Sequence, residues 1–401
     1  MIDTRYMYDN QYTKEFLDFL QKDYFRRSGL TLLEISGGLV LPLKKSEPGG
    51  PLMGYGGVLD DQGNYVSLSA QIGKGDTLDR FNGKYEYDKA QERKYEETVI
   101  YIGAYPPHWG HFLVDMSYRF WYLLKEQAPY KIVYCSEKEK ISGVYLEFFE
   151  LLGIETDRLF RIEKPSRFDR ILIPEPAYMA CDYYTEEYKS IFDRMIRKAE
   201  QYAYPVYEKI YLSRGHFGEA KGKEIGEQSI ERNLKENGYH ILYMEELGLK
   251  EQIFYISHCK KMAALSGTLC HNIVFAGKDT ELIILNKTHI MNTHQVLLEK
   301  MKEINVTYID VYKEPFRGFP LSYGAGPFLL DSRGMQSYML EQGMRYYPES
   351  ARVRFTNRLI YAKMCLCLWG YKQYERAYYK LCKHKLIIGL LRKVKGFFVQ
   401  D

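Results

Sequence analysis

The sequence predicts an α/β fold in which two Rossmann-like domains face a central cleft and a basic helical segment follows them. Apolar strands alternate with amphipathic helices from residue 209 to 312, a looser alternation begins at residue 97, and basic residues are concentrated in 352–401. The chain of 401 residues is long enough for two domains of ordinary size. We therefore expect an N-terminal α/β domain over 1–204, a Rossmann-like domain over 205–312, and a loop with basic amphipathic helices over 313–401.

The second domain has the more regular pattern. Its expected strands are 209–213, 239–244, 263–266, 281–286 and 306–312, and its expected helices are 225–237, 249–262, 268–276 and 293–301. Strands and helices that alternate in this way predict a parallel, doubly wound sheet.

The first domain is less regular but contains the same kinds of element. Strands are expected at 98–103, 131–136 and 170–176, with helices from His108 and over 143–153. The Gly-rich segment 47–63 is typical of strands joined by turns. A helix over 185–203, followed by Pro205, is expected to bridge the two domains.

The stretch TVIYIGAYPPHWGHFLVD, residues 98–115, carries the first candidate site. His108, His111 and Asp115 are spaced i, i+3 and i+7, so a helix that begins near Pro107 would hold them on one face. Two bases and an acid on a rigid element beyond a strand suit the removal of a proton from a hydroxyl group.

We therefore predict that His111 and Asp115 are catalytic and that His108 and Trp109 lie on the acceptor side. The structural alternative is that Asp115 pairs with Arg119, four residues on, and that the histidines are hydrogen-bonded structural residues. Spacing alone leaves both readings open.

The second domain offers cationic side chains for a diphosphate. Arg214 follows the strand 209–213, and the loop after it contains Lys221 and Lys223. These side chains could neutralise phosphate charge. Alternatively, Arg214 forms a salt bridge with a neighbouring element.

The turn after the strand 263–266 is a second candidate for anion binding. Ser266, Gly267 and Thr268 precede a helix whose first turn contains His271 and Asn272. A helix amino terminus with a glycine beside it is a common anion site. In the alternative, Ser266 and Thr268 only cap the helix and His271 faces solvent.

Several classes of site are absent from the sequence. Neither half has a GxGxxG after its first strand, and GxxxxGK[ST], GxSxG and an Asp-x-Asp pair are missing. Cys365 and Cys367 have no second Cys or His pair at zinc-ligand spacing. We expect no metal and no bound cofactor, so cationic side chains and helix dipoles would offset leaving-group charge.

The charge of the chain is uneven. Residues 352–401 contain twelve Lys/Arg and two acids, a net charge of +10, against −6 for the remainder and +4 overall. Lys and Arg mixed with aliphatic and aromatic residues at helical spacing predict a helix pair on an anionic membrane surface. The alternative is that the apolar face docks on the protein's own domains. No base-reading motif accompanies the charge, so nucleic acid is not an expected partner.

Cysteine usage bears on the compartment. The seven cysteines form no framework spacing, and the start MIDTRYMYDN is unlike a signal peptide. No segment is typical of a transmembrane helix. We expect a cytoplasmic protein that reaches the inner face of the cell membrane through its basic segment.

At HWGHFLVD (108–115), LSR (212–214) and EQIFYISHCKKMAALSGTLCHNIVFA (251–276) the sequence resembles the family 61 glycosyltransferases, which include many bacterial capsular polysaccharide biosynthesis proteins. The family's motifs are Asn-x-x-His-x-x-x-Asp, an Arg after a strand, and a block running from Gln to His-Gly-Ala-Gly-Leu-Thr-Asn. The residues at the family's positions are His111, Asp115, Arg214, Gln252, Gly267 and Asn272.

The resemblance covers about residues 98–290 and has departures. His108 stands where the family has Asn, Ser266 replaces its His, and Leu269 and His271 replace Gly and Thr. The family's nucleotide and sugar preferences are therefore not transferred to this chain.

The resemblance implies a GT-B-like pair of domains and an inverting, metal-independent transfer of sugar from a nucleotide donor to a cell-surface polysaccharide or glycolipid. It assigns the acceptor side to 1–204 and the nucleotide sugar to 205–312. Two rival functions remain. One is a pyruvyl or phosphoryl transferase that acts on surface polysaccharide with the same architecture. The other is a non-catalytic protein that binds glycan or nucleotide and recruits partners through its basic segment.

Overall fold

A computed structural model describes residues 1–27, 29–47, 50–72, 79–218 and 223–382, and of residues 378–382 it describes the backbone alone. Lys221, a candidate donor-binding residue, lies outside the described residues. So does the part of the basic segment beyond residue 382.

The strands are numbered in chain order. They are β1 (Ile2–Tyr6), β2 (Leu32–Ser36), β3 (Leu39–Lys44), β4 (Tyr55–Leu59), β5 (Gln71–Ile72), β6 (Asp79–Phe81), β7 (Arg93–Ala104), β8 (Lys131–Cys135), β9 (Leu159–Ile162), β10 (Ser166–Pro174), β11 (Tyr178–Met179), β12 (Tyr183–Tyr184), β13 (Lys209–Ser213), β14 (Glu224–Ile225), β15 (His240–Tyr243), β16 (Lys261–Leu265), β17 (Glu281–Asn286), β18 (Asn305–Asp310), β19 (Tyr312–Lys313) and β20 (Phe328–Leu330).

The α-helices are numbered likewise. They are α1 (Gln11–Leu20), α2 (Trp109–His111), α3 (Trp121–Lys125), α4 (Val144–Leu152), α5 (Glu186–Ala199), α6 (Glu227–Lys235), α7 (Leu249–His258), α8 (Thr268–His271), α9 (Thr293–Lys302), α10 (Gln336–Glu341) and α11 (Ala351–Cys382). Short 3-10 and π turns join several of them.

The described residues form two large sheets. The first sheet has the order β4-β3-β10-β7-β8-β9, with β2 paired to β10, and its strands β10, β7, β8 and β9 are parallel neighbours. The second sheet has the order β1-β18-β17-β16-β13-β15 and is parallel throughout. The predicted mixed α/β class with a parallel sheet in the second half is therefore confirmed.

The core follows from the two-residue period of the strands. Ile100 and Ile102 of β7 point to one face of the first sheet, while Val99 and Tyr101 point to the other. A single buried apolar cluster includes the face of Ile100 and Ile102, one face of the second sheet, and helices α4, α5, α7 and α9. Helices therefore lie between the two sheets, and a continuous core joins them. A GT-B arrangement with a central cleft stays a prediction.

The N-terminal strand belongs to the second sheet, although the sequence analysis assigned 1–204 to the first domain. Ile2 and Asp3 of β1 pair in parallel with Val306 and Thr307 of β18. The boundary at residue 204 does not account for this strand. Local sequence patterns do not reveal this pairing, because the two strands are about 300 residues apart.

The segment after residue 312 is more than a loop. Strand β20 pairs with β14 and β19, and Met335, Tyr338 and Met339 pack on the outer face of the second sheet. The expected helix pair is one continuous helix, α11, as far as the description extends. None of the helices in the described ranges is long and apolar enough to cross a membrane.

Candidate active site

His111 and Asp115 form a hydrogen-bonded pair beyond the carboxyl end of β7. His111 Nδ1 lies 2.8 Å from Asp115 Oδ2. The Asp115 side chain is 3% exposed, whereas that of His111 is 37% exposed. The imidazole is thus the part of the pair that solvent or a ligand can reach.

A buried arginine completes this group. Arg80 Nε lies 3.1 Å from Asp115 Oδ2, and the Arg80 side chain is 10% exposed. The alternative pairing of Asp115 with Arg119 is wrong. Arg119 instead donates to the backbone carbonyls of Pro174, Leu68 and Ala70.

The prediction of a regular helix from His108 is wrong in detail. α2 ends at His111, a π turn spans Phe112–Met116, a 3-10 turn spans Ser117–Arg119, and α3 follows. π turns are frequent at functional sites and leave backbone carbonyls in need of other donors.

Side chains supply those donors. Gln71 Nε2 donates to the Asp115 carbonyl at 2.6 Å, and the hydroxyls of Ser117 and Tyr188 each donate to the Leu113 carbonyl at 2.6 Å. Gln71 also bonds both the N–H and the C=O of Ala104, where β7 ends. These bonds fix the turn that carries Asp115.

His108 caps the helix, and its ring lies 4.7 Å from that of His111, measured between centroids. Its backbone is extended, and its Nδ1 accepts from the His111 N–H at 3.4 Å. Desolvation of the ring is the main cause that lowers the pKa of His108 to about 4, and electrostatic repulsion from His111 and Arg214 adds to it. Arg214, a candidate residue of the second domain, therefore acts on this end of the helix.

The turn after β16 contacts α2 directly. Gly267 has φ of +140°, a conformation that favours glycine, and α8 begins after it. A Cβ on Gly110 would lie 3.0 Å from Thr268 Oγ1 and 3.3 Å from His271 Cδ2. Two segments about 160 residues apart in sequence therefore meet at this point.

Trp109, Asn272 and His271 strengthen this junction. Trp109 Nε1 donates to Asn272 Oδ1 at 2.7 Å, and Asn272 is 1% exposed. The expectation that His271 could face solvent is wrong, because His271 is buried and its Nδ1 lies 2.8 Å from Gln295 Oε1. Burial lowers the pKa of His271 to about 4, so the ring is neutral at pH 7.

Arg214 takes part in a small ionic cluster, as the structural alternative supposed. Its Nε lies 3.7 Å from Glu224 Oε1, and Lys287 Nζ lies 3.0 Å from the same oxygen. Lys287 Nζ would also lie 3.7 Å from a Cβ on Gly267. Burial lowers the pKa of Lys287, and the charge of Glu224 opposes that effect.

Ser266 and α8 have other structural features that bear on the predicted anion site. Ser266 Oγ accepts from the backbone N–H of Lys287 at 3.2 Å, which joins the ends of β16 and β17. α8 has four residues and continues as a 3-10 turn, so its dipole is small. Cationic side chains are the stronger feature here.

Sequence reasoning missed Arg80, Lys287, His294 and Gln71. His294 Nδ1 lies 3.0 Å from the Tyr178 hydroxyl, and burial lowers the pKa of His294 to about 3. None of the four lies in a spacing pattern with His111 or Gly267, so only tertiary contacts reveal them.

Within the described ranges, no group of three or more His, Cys, Asp or Glu side chains could hold a metal ion.

Comparisons with known proteins bear on this region. A comparison with curated proteins gave no match. Residues 109–283 match the family model described as Glycosyltransferase 61, over somewhat less than half of the chain. The matched residues run from α2 through β17 and include His111, Asp115, Arg214 and Gly267. The match supports a glycosyltransferase of family 61 over this part of the chain.

Proposed function

We propose that this protein is an inverting, metal-independent glycosyltransferase that moves a sugar from a nucleotide-sugar donor to a growing capsular or other cell-surface polysaccharide, or to a glycolipid. The observation that carries the proposal is that the segment with His111 and Asp115 contacts the turn after β16. A Cβ on Gly110 would lie 3.0 Å from Thr268 Oγ1. A proton acceptor and a cationic cluster thus lie on adjoining elements.

His111 is the proposed general base. Asp115 accepts the Nδ1–H of His111, which leaves Nε2 with its lone pair for a hydroxyl proton. Asp115 is buried against Arg80 and is poorly placed to meet an acceptor itself. Its proposed role is to orient the imidazole and stabilise the imidazolium.

The reaction is a single displacement. The acceptor hydroxyl gives its proton to His111 Nε2 while its oxygen bonds to the anomeric carbon from the side opposite the leaving group. The bond from that carbon to the donor phosphate oxygen breaks, and its electron pair stays on the nucleoside diphosphate. One backside attack inverts the configuration at the anomeric carbon.

The leaving diphosphate is proposed to meet Arg214, while Lys287, whose side chain is 3% exposed, adds positive charge behind it. Both cations lie within 3.7 Å of Glu224 Oε1, so a diphosphate would compete with that carboxylate for them. The backbone of Gly267 and Thr268 can approach the phosphates closely, while Ser266, His271 and Asn272 shape the turn behind it. Lys221, although outside the described residues, stays a candidate for the same role.

His108 and Trp109 are proposed to border the acceptor. The half-buried indole of Trp109 packs on Phe112, and the imidazole of His108 lies 4.7 Å from that of His111, measured between ring centroids. Flat rings beside a base suit the apolar face of a sugar.

Substitution of the pair tests the mechanism. We expect His111→Gln and Asp115→Asn each to lower turnover about 10²-fold or more, with nucleotide binding measured by calorimetry retained. His216→Gln is the matched control, because His216 pairs with Glu246 on an exposed surface. Near-normal turnover in both dyad variants would refute the proposed base.

A donor panel separates the rival functions. UDP-, GDP- and CMP-sugars and phosphoenolpyruvate, each offered with and without a chelator, report the group transferred and any need for a metal. Transfer from phosphoenolpyruvate alone would favour the pyruvyl transferase. Nucleotide-induced thermal stabilisation without any product would favour the non-catalytic assembly protein.

A further inference from the structure

Helix α11 projects an apolar stripe that the rest of the described chain does not cover. Leu366 is 68% exposed and Trp369 is 58% exposed, and Phe355 and Leu359 are exposed as well. At about 3.6 residues per turn, these four positions fall within about one quarter of the helix circumference. A surface stripe of large apolar residues marks an interaction site.

The same helix is anchored by another face. Tyr361 and Cys365 are buried against Ile225 of β14 and Leu329 of β20. The ring of Phe316 stacks on that of Tyr361 with centroids 5.8 Å apart. This anchoring holds the exposed stripe in a fixed orientation, with another face of the helix packed on the rest of the described chain.

Basic side chains border the stripe on both sides. By helical spacing, Arg358 and Arg376 follow one border, while Arg352 and Lys363 follow the other, and all four are exposed. Residues 351–382 contain seven Lys/Arg, and Glu375 is the only acid among them. An apolar stripe between two basic borders is the pattern of a helix that lies in a membrane interface.

We infer that α11 docks in the plane of an anionic lipid bilayer, with Phe355, Leu359, Leu366 and Trp369 inserted at the boundary between headgroups and acyl chains. Arg358, Arg376, Arg352 and Lys363 then meet lipid phosphates. The charge argues for lipid over a second copy of the chain, because two such helices would bring like charges together along their borders. This inference is independent of the proposed transferase activity.

Vesicle binding by the full chain tests the inference. We expect sedimentation with vesicles of phosphatidylcholine and phosphatidylglycerol, little with phosphatidylcholine alone, and a loss of binding as salt rises. The emission of Trp369 should shift to the blue with anionic vesicles, and Trp369→Phe should remove the shift while binding persists. Trp121, which is buried, and Trp109, half-buried, give no comparable signal.

Paired variants locate the contact. Leu366→Ser/Trp369→Ser and, separately, Arg358→Glu/Arg376→Glu should each weaken vesicle binding by about tenfold or more. The matched controls are Leu340→Ser, on an exposed apolar side chain of α10, and Lys198→Glu/Lys235→Glu, on exposed lysines of α5 and α6. Both controls should bind as the parent does.

Two outcomes would overturn the inference. One is unchanged vesicle binding in both α11 variants, which would assign the attachment to another part of the chain. The other is a dimer in light scattering that Leu366→Ser/Trp369→Ser converts to monomer, together with no binding to anionic vesicles.

Discussion

At the scale of single residues, the candidate site depends on the hydrogen bond between His111 and Asp115 and on Arg80, which lies 3.1 Å from the same carboxylate oxygen. The spacing of His111 and Asp115 indicated that they share a helix face, and their side chains are hydrogen-bonded. The partner of Asp115 was not predictable, because Arg80 belongs to strand β6, which no local pattern connects with the turn that carries Asp115. A salt bridge between residues distant in sequence leaves no periodic signal.

Arg80 provides the first prediction. Arg80→Gln should lower turnover about tenfold or more, because Asp115 would lose its charged partner and hold His111 less firmly. Arg80→Lys should recover part of the loss. Turnover is measured per folded protein, with Arg119→Gln as the control, since Arg119 is also buried but bonds only backbone carbonyls. An unchanged rate in Arg80→Gln would exclude Arg80 from the site.

Glu299 provides a prediction about pH. Burial raises the pKa of Glu299 to about 8, and both of its oxygens accept from the Tyr308 hydroxyl. A carboxyl group with a raised pKa stabilises the fold when protonated, so its contribution is lost as pH rises from its unfolded value of 4.5 through about 8. Burial acts in the same direction on Glu227, whose pKa is raised to about 7.

The measurement is denaturant unfolding between pH 6.5 and 8, over which the histidines contribute equally to the parent and the variant. Glu299→Gln should lose less stability over this range than the parent, by about 2 kcal/mol. Glu245→Gln, at an exposed position, should retain the parent slope. Equal slopes in parent and Glu299→Gln would show that Glu299 is ionised in the folded protein at neutral pH.

At the scale of elements, most strands and helices of the second sheet were predicted within a few residues, because apolar periodicity decides them. β13 and β17 have the predicted bounds. The segment after His108 was predicted less well, since its π and 3-10 turns depend on Gln71 and Tyr188, which bond its carbonyls from elsewhere. Local sequence patterns do not contain such information.

The packing of α2 on α8 leads to a third prediction. Gly110→Ala should lower turnover about tenfold, because its Cβ would press on Thr268 and His271 and shift the base by a few tenths of an ångström. Gly110→Ala/Thr268→Ala should recover much of the rate, because the double variant removes Thr268 Oγ1 and Cγ2, which would lie 3.0 and 3.3 Å from the added Cβ. Gly370→Ala, where a Cβ meets nothing within 4 Å, is the control. Full activity in Gly110→Ala would show that this close approach is not needed.

At the scale of the whole molecule, the sequence predicted two α/β halves but not how they are connected. It did not reveal that β1 joins the second sheet, that helices lie between the sheets, or that residues 328–341 cover the second sheet. These features depend on contacts between residues far apart in the chain. Topology is therefore where a single sequence is least informative.

The hydrogen bond between Trp109 and Asn272 provides a prediction about the coupling of the two halves. Trp109→Phe should cost about 1–3 kcal/mol of unfolding free energy, because Asn272 Oδ1 is buried and would lose its donor. Adding Asn272→Leu should recover part of this loss, which a double-mutant cycle measures as coupling. Trp121→Phe, whose indole bonds the Glu175 carbonyl, should show no coupling to Asn272→Leu. Additive effects for Trp109 and Asn272 would mean that the bond contributes nothing across the junction.

The pairing of β1 with β18 has a consequence for biosynthesis. Ile2 pairs with Val306, so β1 must wait for about 300 further residues to be synthesised before its neighbour emerges. At translation rates of about 5–20 residues per second, that wait is roughly 15 to 60 s. During this wait β1 has no neighbour to pair with, and the nascent chain is exposed to mispairing that chaperones would have to prevent.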